Sequence, residues 1–242
     1  MSQFLQQDNY IIGTKQNIKK LASKKNATIL AISDSHGNYP VLKKIIDAYK
    51  SSVDLIAFCG DGSNDLIHYI ENENKSRTYS KDNPLIDFPV IAIVQGNGDN
   101  NLYPINFNPT EKNIRQHEWE IKIPKSICIK VAGMNIIITH GHIFGISYDT
   151  SDLESFAKSE NSQLAIFGHT HIAEIIKEKN FTLINPGSCY SPRMNLPPSF
   201  ATILIDGKSK SVQTTFYKIN ISLEEGVSFD EFVPPKTNFR EF

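Results

Sequence analysis

The segment TILAISDSHG, residues 28–37, decides how the rest of the chain is read. Its first six residues form an uninterrupted apolar run, which stops abruptly at Asp34-Ser35-His36-Gly37. A short apolar run closed by a polar turn reads as a buried strand. The pattern then recurs. VDLIAFC at 53–59 stops at Gly60-Asp61, and PVIAIVQ at 89–95 runs into Gly96-Asn97-Gly98-Asp99. Between the first two runs a helix is predicted from about Pro40 to Tyr49. Val41, Ile45 and Tyr49 recur every four residues there, and Pro40 suits an early helical position. A second, short helix is predicted over 65–71.

Outward from this core the character changes. Residues 1–27 are polar and read as an extension with one short helix, while 72–88 are charged and broken by proline, as in a surface excursion. Segments 119–131 and 134–139 suggest a β-hairpin around Gly133. Further strands are predicted at 163–167, 181–184, 200–205 and 211–217, with a helix at 151–160 and a rigid proline-rich loop at 192–198. Strand–helix–strand followed by antiparallel-looking strands predicts an α/β protein with mixed sheets packed face to face. The expected organisation is an extension, 1–27, and a single domain, 28–242, with insertions near 72–88 and 101–118.

Composition narrows the partners. The 242 residues are 40% hydrophobic, enough for a substantial core without disulfides. The 25 basic and 26 acidic side chains leave a formal charge of -1, which argues against a broad nucleic-acid or anionic-membrane surface. Cys59, Cys128 and Cys189 match neither a disulfide framework nor a zinc ribbon, and read as buried thiols in a reducing compartment. No run approaches the roughly 20 apolar residues of a membrane span. The chain therefore reads as soluble and cytoplasmic, with oligomerisation left open.

The acids and histidines fall at the ends of the apolar runs. Asp34 and His36 follow the first, Asp61 the second, Asn97 and Asp99 the third; His140 and His142 follow MNIIIT, and His169 and His171 follow AIFG. Five of the seven histidines thus lie in two His-x-His pairs or beside Asp34. Taken singly, each motif has an ordinary structural reading as a turn, a cap or a surface imidazole. Five in order, each terminating an apolar run, point instead to a metal site. Carboxylates and an amide oxygen mixed with imidazoles suit Mn²⁺, Fe²⁺, Zn²⁺, Ni²⁺ or a similar first-row ion rather than Ca²⁺. Two ions about 3.5–4 Å apart need a bridging carboxylate and ligands on each side. Asp34, His36, Asp61, Asn97, His140, His169 and His171 supply these.

DSHG at 34–37, GD at 60–61, GNGD at 96–99, THGH at 139–142, GHTH at 168–171 and NPGS at 185–188 closely resemble the calcineurin-like metallophosphoesterase superfamily. Within it, the chain is similar to the small bacterial and archaeal phosphodiesterase branch related to the retromer subunit Vps29. The resemblance covers roughly residues 28–205 and implies a four-layer αββα sandwich of two mixed sheets. It implies that Asp34, His36 and His171 hold one metal, that Asn97, His140 and His169 hold the other, and that Asp61 bridges them. His142 would stand near the phosphate pocket, and Asp99 would orient its surroundings. Where larger members have a histidine in GNH[DE] that helps protonate the leaving group, this chain has Gly98.

The implied activity is hydrolysis of a small phosphodiester by water activated between two divalent ions, with Mn²⁺ preferred. The alternatives are a phosphomonoesterase, a catalytically weak Vps29-like scaffold, and a sensor in which ligand binding controls a partner. Arg193, in YSPRMN, is a candidate phosphate ligand, because a guanidinium grips two phosphate oxygens. Tyr103, Phe107, Arg115 and His117 are candidate substrate contacts in the loop that follows the third motif.

Overall fold

Residues Asn26–Ile32 form a strand whose alternate side chains enter two different cores. Ile29 and Ala31 face one side, Leu30 and Ile32 the other, and all four are fully buried. That is why the run carries no polar alternation. The computed structural model describes residues 5–76, 88–105, 119–178, 181–222, 224 and 226–235.

In chain order the strands begin with β1 (Leu5–Gln6), β2 (Ile12–Gly13), β3 (Asn26–Ile32), β4 (Leu55–Phe58) and β5 (Val90–Ile93). They continue with β6 (Leu102–Ile105), β7 (Trp119–Lys122), β8 (Ser126–Val131), β9 (Met134–Thr139) and β10 (Leu164–Ile166). The last are β11 (Ala173–Glu178), β12 (Phe181–Pro186), β13 (Ser199–Asp206), β14 (Ser211–Ser222) and β15 (Gly226–Phe232). The α-helices are α1 (Lys15–Ser23), α2 (Tyr39–Tyr49), α3 (Ser63–Ser76) and α4 (Ser151–Ser159).

Two mixed sheets result. The larger has the order β1-β2-β5-β4-β3-β13-β14-β15, with β3, β4 and β5 parallel; the smaller has the order β11-β12-β10-β9-β8, with β9, β10 and β12 parallel. Ile29, Leu55 and Val90 of the first meet Ile136, Leu164 and Ile184 of the second in the core between the sheets. The outer face of the first sheet is covered by Val41, Leu42, Ile45 and Ile46 of α2 and Leu66 and Ile70 of α3. Leu153 and Ala157 of α4 cover the outer face of the second. The layers are therefore helix, sheet, sheet, helix. Helix α2 starts where predicted: Asn38 Oδ1 accepts from Val41 N–H, and Pro40 occupies the first turn. Truncating Ile45 to alanine would cost about 2–5 kcal/mol, as for any fully buried isoleucine.

Several expectations shift. The polar extension contains two strands besides its helix, and β2 adds antiparallel to β5, with Ile11 and Ile12 buried. The predicted hairpin is shorter than the apolar pattern. Chain direction breaks at Pro124, so β7 pairs with β6, and only β8 and β9 turn about Gly133. Strand β11 has no clear sequence signature, because its edge position leaves Ile175 and Lys177 exposed and blurs its period. Beyond residue 218 the chain completes β14 and returns as β15 along the sheet edge. Cys59 and Cys189 are buried thiols, but Cys128 is exposed, because it points outward from β8. Among the described residues no helix is long and apolar enough to cross a membrane. Much of both expected insertions, residues 77–87 and 106–118, lies outside the described residues, and so do Phe107, Arg115 and His117.

Candidate metal centre

The parallel strands of both sheets end on the same cluster. Asp34 follows β3, Asp61 follows β4, and Asn97 and Asp99 follow β5; His140 follows β9, and His169 and His171 follow β10. The carboxyl ends of parallel strands are where open α/β sheets collect ligands. Five of the seven predicted ligands turn sharply there, in the left-handed region: Asp34 (φ 56°), His36 (45°), Asp61 (53°), His169 (68°) and His171 (61°). Each such residue costs about 1–3 kcal/mol, and strain of this kind gathers at functional sites.

Small residues let the loops approach. A Cβ at Gly168 would overlap Ser33 Oγ and Asp34 Oδ2, and one at Gly96 would overlap Asp61 Oδ1. The approach has a use. His169 N–H donates to Asp34 Oδ2 at 3.2 Å, as does Ser33 Oγ at 2.5 Å, so this carboxylate is held by one oxygen.

The other oxygen, Asp34 Oδ1, is fully buried and accepts no directed hydrogen bond among the described residues. It lies 3.2 Å from His171 Nε2 and 3.8 Å from His36 Nε2, and the two imidazole nitrogens are 3.1 Å apart. His171 Nδ1 donates to Ser191 O, which turns its Nε2 lone pair towards Asp34. Across the cleft His140 Nδ1 donates to Cys59 O at 2.7 Å, turning Nε2 towards Asn97 Oδ1 at 3.2 Å and Asp61 Oδ2 at 3.5 Å. His169 Nδ1 lies 3.0 Å from the same Asn97 oxygen. Donor atoms of Asp34, His36 and His171 lie within 4.8 Å of one another, as do those of Asp34, Asp61 and His140. Asp34 is thus the carboxylate common to both clusters. Electron pairs facing one another without a positive partner are what a cation repairs, so the residues present fit two metal ions.

The electrostatics agree. Burial alone would raise the Asp61 carboxyl, but the hydrogen bond and charge of His140 and the N–H of Gly98 outweigh it and bring its pKa to about 2. Burial opposes protonation of His140 and His171; Asp61 and Asp34, respectively, reverse this and raise both. His142 and His169 are lowered, by burial first and by the neighbouring His140 second, which keeps them neutral. Asp61 thus stays ionised, and carboxylate oxygens gathered with imidazole nitrogens are a donor set suited to first-row divalent ions.

Other predicted residues take definite places. Asp99 accepts from the backbone N–H groups of Asp61, Gly62, Ser63 and Gly96 and from Ser63 Oγ, at 2.7–3.1 Å. It ties the second motif to the third. His142 is half-buried, with its ring centroid 5.3 Å from that of His140 and 6.2 Å from that of His169, and its Nδ1 has no hydrogen-bond partner among the described residues. Arg193 is exposed beside the first cluster, its N–H donating to His171 O at 3.2 Å. Tyr103 is not a substrate contact: it is 5% exposed within the α2–α3 core, and its hydroxyl accepts from Asn100 N–H. The NPGS motif proves to be a brace. Ser188 Oγ donates to Asp34 O at 2.8 Å, and Asn185 Nδ2 donates to Gly168 O and Thr170 Oγ1 at 2.9 Å each. Ser33 carried no sequence signal, being one more small residue in an apolar run.

Comparison with known proteins gives a consistent result. Residues 28–208 match the calcineurin-like phosphoesterase superfamily domain. The probable metallophosphoesterase YsnB of Bacillus subtilis is 27% identical over 187 residues, 76% of this chain and 88% of its own. A phosphodiesterase of Methanocaldococcus jannaschii is 26% identical over 168 residues, 69% of this chain and 86% of its own. Among solved structures, a predicted phosphoesterase of Streptococcus pneumoniae aligns over 87% of this chain and 99% of its own, with TM-score 0.53 and 23% identity. Vps29 of Cryptosporidium parvum aligns over 86% and 99%, with TM-score 0.55 and 17% identity. At those identities the structural likeness speaks for the fold.

Proposed function

The chain belongs to the calcineurin-like phosphoesterase superfamily, and on that premise we propose that it hydrolyses a small phosphodiester. The general class is that of a metal-dependent hydrolase, supported by two clusters of ligating side chains and by the metallophosphoesterase relatives. The observation that carries the reading is the convergence of Asp34 Oδ1, His36 Nε2 and His171 Nε2 on one side of Asp34, with Asp61, Asn97, His140 and His169 on the other.

Two divalent ions bound there, Mn²⁺ by preference, would supply electrophilic charge for the phosphoryl oxygens and a water acidic enough to attack near neutral pH. The protein's own groups do the rest. Gly98 N–H donates to Asp61 Oδ1 at 2.8 Å and fixes the carboxylate that would help hold the ions. Asp99 holds the loops that carry Asp61 and Asn97. Arg193 receives a phosphate oxygen at the rim, and His142, half-buried beside His140 and His169, stands at the phosphate pocket to steady the developing charge. A diester is preferred to a monoester because Gly98 offers no imidazole to protonate a poor leaving group. Tyr190 and Met194, both more than half exposed, flank Arg193 in sequence and suit an apolar or aromatic ester group. Three free cysteines support a reducing cytoplasmic setting.

The test is a panel of substrates offered to Mn²⁺-loaded protein: bis(p-nitrophenyl) phosphate, p-nitrophenyl phosphate and cyclic nucleotides. Cleavage of diesters that stops at the monoester supports the reading. Preferential release of inorganic phosphate would make the chain a monoesterase. No turnover by folded, metal-loaded protein would favour a scaffold.

A further inference from the structure

His36 is unusual among the clustered residues in having little to hold it. Its ring is 37% exposed, so packing does not set its position, and its backbone lies in the left-handed region. Its own N–H donates to Asp61 O at 3.0 Å. The residues on either side donate elsewhere: Ser35 Oγ and Gly37 N–H both reach one atom, Oδ2 of Asp65, at 2.6 and 3.0 Å. Asp65 lies in the first turn of α3, is 7% exposed, and has its own N–H bonded to Gly62 O at 2.9 Å. A carboxylate is costly to bury, so one spent on a turn next to a candidate ligand invites a role.

The start of α3 is therefore a junction. Asp99 pins Asp61, Gly62 and Ser63 to the third motif, and Asp65, two residues further on, pins Ser35 and Gly37 of the first. We propose that Asp65 is a positioning residue for His36, which it clamps through Ser35 and Gly37, and that it thereby sets retention of the ion facing Asp34, His36 and His171. It rests on the ligand assignment given above and adds a residue outside every motif that pointed to the site.

The bonding makes a sharp distinction between two variants. Both donors converge on one oxygen, so the amide oxygen of Asp65→Asn can accept both, whereas Asp65→Ala can accept neither. The experiment is calorimetric titration of metal-stripped, full-length protein with Mn²⁺, with folding checked by circular dichroism. Asp65→Ala should bind one of the two ions about tenfold or more weakly, the usual cost of losing an outer support, and keep the other. Asp65→Asn should titrate close to wild type. Should Asp65→Ala not fold, Ser35→Ala removes one of the two donors and should weaken the same ion by a smaller factor. The proposal is overturned by Asp65→Ala or Ser35→Ala that binds both ions as tightly as wild type, or by Asp65→Asn that loses as much as Asp65→Ala. His36→Ala separates the causes. If it too retains both ions at full affinity, the ligand assignment is at fault; if it loses one while Asp65→Ala does not, only the positioning role fails.

Discussion

His36 Nε2 and His171 Nε2 stand 3.1 Å apart, although 135 residues separate them in the chain. One belongs to the loop after β3 in the first sheet and the other to the loop after β10 in the second. A site built across two sheets gains its ligands only when the sandwich is complete, so ion binding is coupled to folding of the whole chain.

Metal should therefore stabilise. At a hundred times its dissociation constant, one Mn²⁺ adds about 2.7 kcal/mol to the folded state. For a chain of this size that is a rise in Tm of about 5–10 °C. In His36→Asn, asparagine tolerates the left-handed backbone that histidine occupies under strain. Metal-free His36→Asn should melt no lower than the metal-free wild type, while its rise with Mn²⁺ shrinks. Differential scanning fluorimetry with and without metal measures both.

Gly98 is a second lever. A Cβ there would meet Asp61 Oδ1 at 3.4 Å, close to ordinary contact, so a side chain can be installed. Gly98→His would restore the imidazole that the larger relatives carry. The ratio of β-glycerophosphate to p-nitrophenyl phosphate turnover should rise, because only the alkoxide of the first needs a proton to leave. An unchanged ratio would remove leaving-group protonation as the reason for diester preference.

Arg193 should act on binding more than on chemistry. A charge-assisted hydrogen bond to phosphate contributes about 1.5–3 kcal/mol, so Arg193→Ala should raise KM about tenfold or more with kcat little changed. Steady-state kinetics on the best diester would show this, and a loss confined to kcat would assign the residue elsewhere.

Stability should depend on pH through Asp47. Burial alone would raise its carboxyl, but donation from Lys43, from Lys50 at 2.8 Å and from Tyr69 at 2.9 Å outweighs that and brings it from 3.8 to about 2. A folded-state pKa below the unfolded one stabilises above 3.8 and stops doing so as pH falls towards 2. Asp47→Asn should lower Tm at pH 7, and the difference from wild type should close as the medium is acidified. Melts across the acid range test this.

The fold and the site were legible to different depths. TILAIS, VDLIAFC and PVIAIVQ could be read because strands buried on both faces leave no room for polar residues, and each ends on a polar group of the same ordered series. Edge strands carry no such signature: β11 and β15 have one covered face at most, and their charged residues hide the period. Tyr103 looked like a loop aromatic near the third motif, yet it fills the core between helices, since proximity in sequence says nothing of side-chain direction. Asp65 was invisible for another reason. An acid in the first turn of a helix is ordinary on dipole grounds, and only the positions of Ser35 and Gly37 distinguish this one.

Metal-dependent diester cleavage at this site can be followed as hydrolysis of bis(p-nitrophenyl) phosphate while metal-stripped protein is titrated with Mn²⁺, in parallel with His169→Ala. Activity should rise to a plateau at two ions per chain and collapse in the variant. Turnover that is independent of added metal, or a folded protein that binds two ions and cleaves no diester, would contradict it.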